Sequence, residues 1–336
     1  MNLNENFLKV LTNIETNNIR KGDEKMKYAA RINSFLPTDS RNVLEAIEQI
    51  GKVGVVTHVD LNYPEHFEDV CAEQVLATLQ KNGLKLNALN MRFRKEYIHG
   101  VYANPSAQVR QQAIELTREA GRICKQLGGS LVIIWLSYDG YDYAMQMDYP
   151  TAWHNLVDAF KAICQDEQMY YAIEYKPYEE RGFALLDSYG TTMNLIQEVG
   201  ADNLGVVIDY CHMLMKKENP AFAAALLMEK KKLYGVHMND GESHSDNGFM
   251  MGMCTPWKTL ELLYYLKKYD FSRVVYFDTF PLRETPADEL KANVEMFEKM
   301  WNKLDGEVMN EIEKIAQSQD SIALHKIYQR LMTGGA

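Results

Sequence analysis

Short apolar runs, of the kind expected for strands buried on both faces, alternate along this chain with longer segments of helical periodicity. From Lys27 the apolar runs are Lys27–Phe35, Val53–Leu61, Leu84–Phe93, Ser130–Leu136, Tyr170–Lys176, Leu204–Tyr210, Leu233–Met238 and Arg273–Thr279. The helical patterns are Ser40–Ile50, His66–Lys81, Ser106–Gln126, Tyr149–Asp166, Tyr189–Val199, Ala221–Lys232, Trp257–Tyr269 and Asp288–Leu304. Gly51, Gly83, Gly128 and Gly200 stand where a left-handed residue would stop a helix, and Pro105, Pro150, Pro220 and Pro256 stand near helix starts. Eight strand–helix units predict an α/β fold, a (β/α)8 TIM barrel spanning residues 27–304. No GxGxxG or GxxxxGK is present to favour a doubly wound nucleotide-binding sheet. Residues 1–26 read as a polar N-terminal extension with a weakly amphipathic stretch at Phe7–Ile14, either a packing arm or a loose tail. Residues 305–336 read as a C-terminal helical segment that covers a neighbouring surface or subunit.

Composition narrows the function. The 336 residues are 46% hydrophobic, enough for one large core, and the net charge of −10 comes without a contiguous basic stretch. Nucleic-acid phosphates therefore find no footprint, and no apolar run reaches the ~18 residues of a membrane span. Five cysteines, with no CxxC among them, fit a reducing cytoplasm better than a disulfide framework. The polar N-terminus has no apolar signal core, so a cytoplasmic location is expected.

Candidate chemistry lies at the ends of the later strands. Tyr170–Tyr175 closes with Glu174, Leu204–His212 carries Asp209, Leu233–Met238 carries His237, and Arg273–Thr279 carries Asp278. In a barrel these positions share the C-terminal rim, where active sites gather. Three carboxylates and one imidazole form an oxygen-rich ligand set for a divalent cation. His212, three residues after Asp209, is a candidate for proton transfer or ligation, or else a helix-capping or core histidine. Lys176 faces the same way as Glu174, either holding a substrate oxygen or simply pairing with a carboxylate. Trp135, Asp139 and Tyr141 after the fourth strand suit sugar binding, or an ordered surface loop. Asn239 and Asp240 read as a turn, and Asp246 lies in a loop (SHSDNG) that by itself reads as solvated. His58, Asp60, Asn90 and Arg92 are lesser rim candidates, most of them expected to be structural.

Taken in order, EYKPYEE, VIDYCHML, VHMNDGESHSDNGFMMG and YFDTFP resemble the xylose isomerase-like TIM-barrel superfamily. Within it they are most similar to the L-rhamnose isomerase and sugar isomerase branch, as is the loop WLSYDGYDYAMQMDYPTAW. The resemblance covers Lys27–Leu304. It implies one divalent cation, manganese most readily and otherwise magnesium or cobalt, held by Glu174, Asp209, His237 and Asp278. It also implies substrate contacts from His212, Lys176 and Trp135, with Asp246 the remnant of an acidic second-metal cluster that here reads Asp246–Asn247–Gly248. A single cation suits enolisation, in which Glu174, Lys176, His212 and Asp278 serve as the catalytic set around a keto- or aldo-sugar. Trp135, Asp139, Tyr141, His58 and Asp246 are then the expected substrate contacts. The superfamily also includes catalytic subunits of C-glycoside deglycosidases, lyases that cleave a C–C bond of a 3-oxo-glucoside beside a small second subunit. A non-catalytic sugar-binding barrel is the more distant alternative. Expected partners are thus a sugar or sugar conjugate and either further copies of the chain or that small subunit.

Overall fold

The computed structural model describes residues 26–36 and 42–333, so the arm expected at Phe7–Ile14 lies outside the described residues. Strands β1 (Lys27–Arg31), β2 (His58–Tyr63), β3 (Lys85–Met91) and β4 (Leu131–Ile134) are followed by a short β5 (Gly140–Tyr141). Then come β6 (Tyr170–Glu174), a short β7 (Phe183–Ala184), β8 (Leu204–Asp209), β9 (Leu233–Met238) and β10 (Val274–Phe277). The long strands are parallel and close into a barrel of order β1-β10-β9-β8-β6-β4-β3-β2, while β5 and β7 pair as a separate two-stranded sheet.

Side-chain alternation decides what each strand delivers to the mouth. Ala88, Leu131, Ile133, Ala172, Val207 and Tyr234 form a buried cluster apart from the larger core between sheet and helices, and they fill the ring. Continuing by twos from Ala88, Ile133, Ala172 and Val207 gives Asn90 and Arg92, Trp135, Glu174 and Lys176, and Asp209. The packed interior therefore forms the floor on which these polar groups stand.

Several boundaries differ from the sequence pattern. β1 ends at Arg31 because Ile32 and Phe35, three apart, bury together on one side of a 3-10 turn, Ile32–Phe35. Helix α1 (Val43–Val53) runs through Gly51 and stops at Gly54, whose φ is 74°, so β2 begins only at His58. Gly51 serves packing instead: a Cβ there would stand 2.7 Å from the Cβ of Asn82. A short helix, Tyr210–Lys216, follows β8 directly and is N-capped by Asp209, which accepts from the His212 N–H at 3.0 Å. Beyond the last barrel helix, Pro286–Lys303, the chain adds helices Gly306–Ser318 and Ser321–Thr333. Among the described residues no helix is long and apolar enough to cross a membrane.

Candidate metal centre

β6 and β8 each end in a buried titratable residue, β9 carries one at its penultimate position, and a fourth stands just beyond β10. Ligand atoms of Glu174, Asp209, His237 and Asp278 all lie within 4.8 Å of one another. Oε1 of Glu174 is 3.2 Å from Nδ1 of His237 and 3.7 Å from Nδ1 of His212. Burial opposes ionisation of Glu174, but the imidazoles of His237 and His212 and the charge of Arg92 outweigh it and hold its pKa down to about 2. Asp209 goes the other way: burial, with repulsion from Asp246, Glu174 and Asp278, pushes it up to about 7. Burial works against a charge on His237, yet Glu174, Asp278 and Asp60 carry it up to about 9. Crowded carboxylates of this kind are relieved by a cation placed among them.

A second trio overlaps the first, with Asp209, His212 and Asp246 also within 4.8 Å of one another. The loop carrying Asp246, which the sequence alone leaves in solvent, folds into the mouth. Its Oδ2 lies 3.2 Å from His212 Nε2 and 3.0 Å from Lys176 Nζ. Lys176 also pairs with Glu179 at 2.8 Å. Together these carboxylates outweigh burial and raise the lysine pKa, so its charge is fixed.

The remaining predicted contacts separate into two groups. Trp135, Glu174 and Lys176 line one cavity, beneath the β5–β7 sheet. Tyr141, in β5, is not among the residues lining it and is stacked on Phe183 with centroids 5.1 Å apart and tilted against Tyr149. Asp139 is no substrate contact: its carboxylate is buried and accepts backbone N–H bonds from Val101, Tyr102 and Ala103 at 2.6, 3.0 and 3.1 Å. Those three donors leave it the anchor of the β3 loop. His58 is also misplaced by the sequence reading, since it opens β2 at the N-terminal end of the barrel and pairs with Thr57 at 2.8 Å. Burial, together with Lys85 and Lys27, lowers its pKa to about 4.

Two functional neighbours escaped the sequence. Asn239, read as a turn, is fully buried and donates to both oxygens of Asp209 at 3.2 and 3.0 Å while accepting from the Cys211 N–H at 2.8 Å. Arg31, the last residue of β1, brings Nε within 3.0 Å of Asp278 Oδ1 as an ion pair. A strand-end arginine beside a strand-end aspartate was the available signal, but the adjacency of β1 and β10 appears only once the ring closes.

The family model described as xylose isomerase-like TIM barrel matches residues 44–300. The chain is 22% identical over 210 residues to a xylose isomerase from Thermus thermophilus, a match over 59% of this chain and 54% of that protein. It thus spans about half the length of that curated relative. Among solved structures it resembles a D-allulose 3-epimerase from Methylomonas sp., with TM-score 0.66, 15% identity, and 82% and 97% of the two chains covered. It also resembles a 3-keto-D-glucoside 4-epimerase from E. coli, with TM-score 0.65, 14% identity, and 82% and 99% covered.

Proposed function

The chain belongs to the xylose isomerase-like TIM-barrel family, and from that premise we propose that it is a sugar isomerase or epimerase that uses one divalent cation and works by enolisation. The observation carrying this reading is the convergence of Glu174, Asp209, His237 and Asp278 at one end of the ring. Three carboxylates and an imidazole suit Mn2+, Mg2+ or Co2+. Nε2 of His237 is buried without a hydrogen bond, which fits a ligand atom. When bound, the cation would polarise a sugar carbonyl and favour negative charge on its oxygen.

The protein's own groups supply the rest. Asp246 holds Nε2 of His212, while Nδ1 of His212 is buried without a hydrogen bond and so is the atom that receives or returns the carbon-bound proton. Lys176 presents its fixed ammonium to a sugar oxygen, and Trp135 closes the cavity wall and keeps water out. Lys176 also bears on the number of ions. Its ammonium already balances Asp246 in the second trio, which supports one cation over two.

The test is metal content with substrate profiling. One cation per chain, solvent deuterium in sugar recovered from D2O, and loss of turnover in Glu174→Gln are expected. Two cations per chain with no label incorporated would overturn enolisation in favour of a hydride shift, and sugar binding without turnover would leave a binding protein.

A second reading draws on the rim. Tyr143, Met145, Phe183, Phe249, Met253 and Leu282 are exposed on the loops around the mouth, Met145 by 94% and Leu282 by 92%. Bare apolar groups around a sugar site suit a substrate with an apolar aglycone or the surface of a second subunit. A C-glycoside deglycosidase working beside a small second subunit is consistent with such a rim. Incubation with free aldoses and ketoses, then with 3-oxo-C-glucosides, separates the two by which is consumed.

A further inference from the structure

Three strand-end cations face the mouth, and two are neutralised within the protein. Arg31 pairs with Asp278 at 3.0 Å, and Lys176 pairs with Asp246 and Glu179. Arg92, the residue after β3, is different. Its backbone N–H donates to the Tyr63 carbonyl at 2.8 Å, and its guanidinium lies 5.3 Å from the centre of the Trp135 ring. Among the described residues that guanidinium makes no hydrogen bond and no ion pair. It is half-buried, and its charge acts on Glu174 and on the Tyr276 hydroxyl.

The strand offers a second unmet group. Asn90, two residues earlier on the same face, donates to Asp60 at 3.4 Å and leaves its Oδ1 buried without a partner. β3 therefore presents one free acceptor and one free fork of donors side by side, next to the cavity lined by Trp135, Glu174 and Lys176. A sugar hydroxyl satisfies the amide oxygen. It does not match the guanidinium, whose parallel N–H groups fit a planar carboxylate and whose charge, half withdrawn from water, needs a counter-charge.

We propose that Arg92 anchors a carboxylate on the substrate, with Asn90 taking a neighbouring hydroxyl, so that this centre acts on an acidic sugar of the uronate or aldonate type. The proposal rests on the sugar-enzyme reading above and names its substrate class. Trp135, its ring centre 5.3 Å from the guanidinium carbon, holds that group beside the cavity it lines.

The experiment measures binding of D-glucuronate, D-galacturonate and D-gluconate against D-glucose by calorimetry, with and without Mn2+, on wild type, Arg92→Met and Arg92→Lys. At least one acid is expected to bind wild type about tenfold or more tightly than glucose, as one charge-assisted pair provides. That preference disappears in Arg92→Met and returns in part in Arg92→Lys, with thermal melts confirming that both variants fold. A preference that survives in Arg92→Met overturns the proposal, because the carboxylate then sits elsewhere. Wild type that binds no acid more tightly than glucose overturns it as well. Mn2+ binding, read separately by paramagnetic resonance, reports on the metal centre: its failure counts against that reading, while the acid preference without Mn2+ still decides Arg92.

Discussion

Asn239→Ala tests whether the proposed metal ligands are oriented by a residue that is itself no ligand. Asn239 Nδ2 reaches Asp209 Oδ1 and Oδ2 at 3.2 and 3.0 Å and the Asp278 carbonyl at 3.2 Å, while its Oδ1 holds the Cys211 N–H at 2.8 Å. Truncation removes donors to a buried carboxylate, about 1.5–3 kcal/mol, and strands the Cys211 N–H, about 1–3 kcal/mol. The sum, roughly 2.5–6 kcal/mol, is a large part of the ~5–15 kcal/mol that holds a typical domain folded. The His212 N–H still anchors Asp209 at 3.0 Å, so the side chain is loosened rather than released. Mn2+ affinity should fall about 10–100-fold, the usual effect of losing an outer partner of a ligand. Urea unfolding of the metal-free protein and Mn2+ titration, both at pH 8 where Asp209 is ionised, give the two numbers. A folded variant that has lost less than about 1 kcal/mol, or that binds Mn2+ within about threefold of wild type, would refute the assignment.

Two further outcomes follow from the same geometry. In the metal-free protein His237 titrates at about 9 and Asp209 at about 7; below each value a proton must leave before a cation enters. Mn2+ affinity is therefore expected to weaken about tenfold per unit from pH 9 to 7 and up to about a hundredfold per unit below 7, and affinity that stays flat across this range would count against the ligand set. Gly51→Ala should destabilise by about 1 kcal/mol or more by thermal melt, since the clash with the Cβ of Asn82 at 2.7 Å exceeds the ~1 kcal/mol of helix propensity gained. A variant as stable as wild type would mean that helix α1 can shift freely there.

The ring and the four converging side chains were legible because both follow from local rules. Apolar runs separated by helical stretches fix the number of units, and alternation fixes the face on which Glu174, Asp209 and His237 emerge. What stayed hidden depends on groups remote in the chain. Asp139 is a rim aspartate in sequence, but the backbone of Val101–Ala103 turns back to occupy it. Asn239 looks like a turn residue because its partners, Asp209 and Cys211, come from another strand and helix. The β5–β7 pairing is likewise invisible, since two residues on each side carry no periodicity.

His58 and Asp60 show the limit of the alternation argument most directly. Two apart on one strand, they share a face, and so both qualified as rim residues. Face is not height. The apolar run suggested a strand ending at Leu61, whereas β2 starts at His58 and continues to Tyr63. At about 3.3 Å per residue the histidine therefore lies roughly 16 Å below the top of its strand. Asp60, one step higher on that face, sits close enough to interact with His237 and Asp278. Helix α1 sets this height by running past Gly51, where Asn82 packs closely against it, to Gly54. A residue's depth in the barrel thus depends on where the preceding helix stops, which here is the left-handed Gly54 and not Gly51.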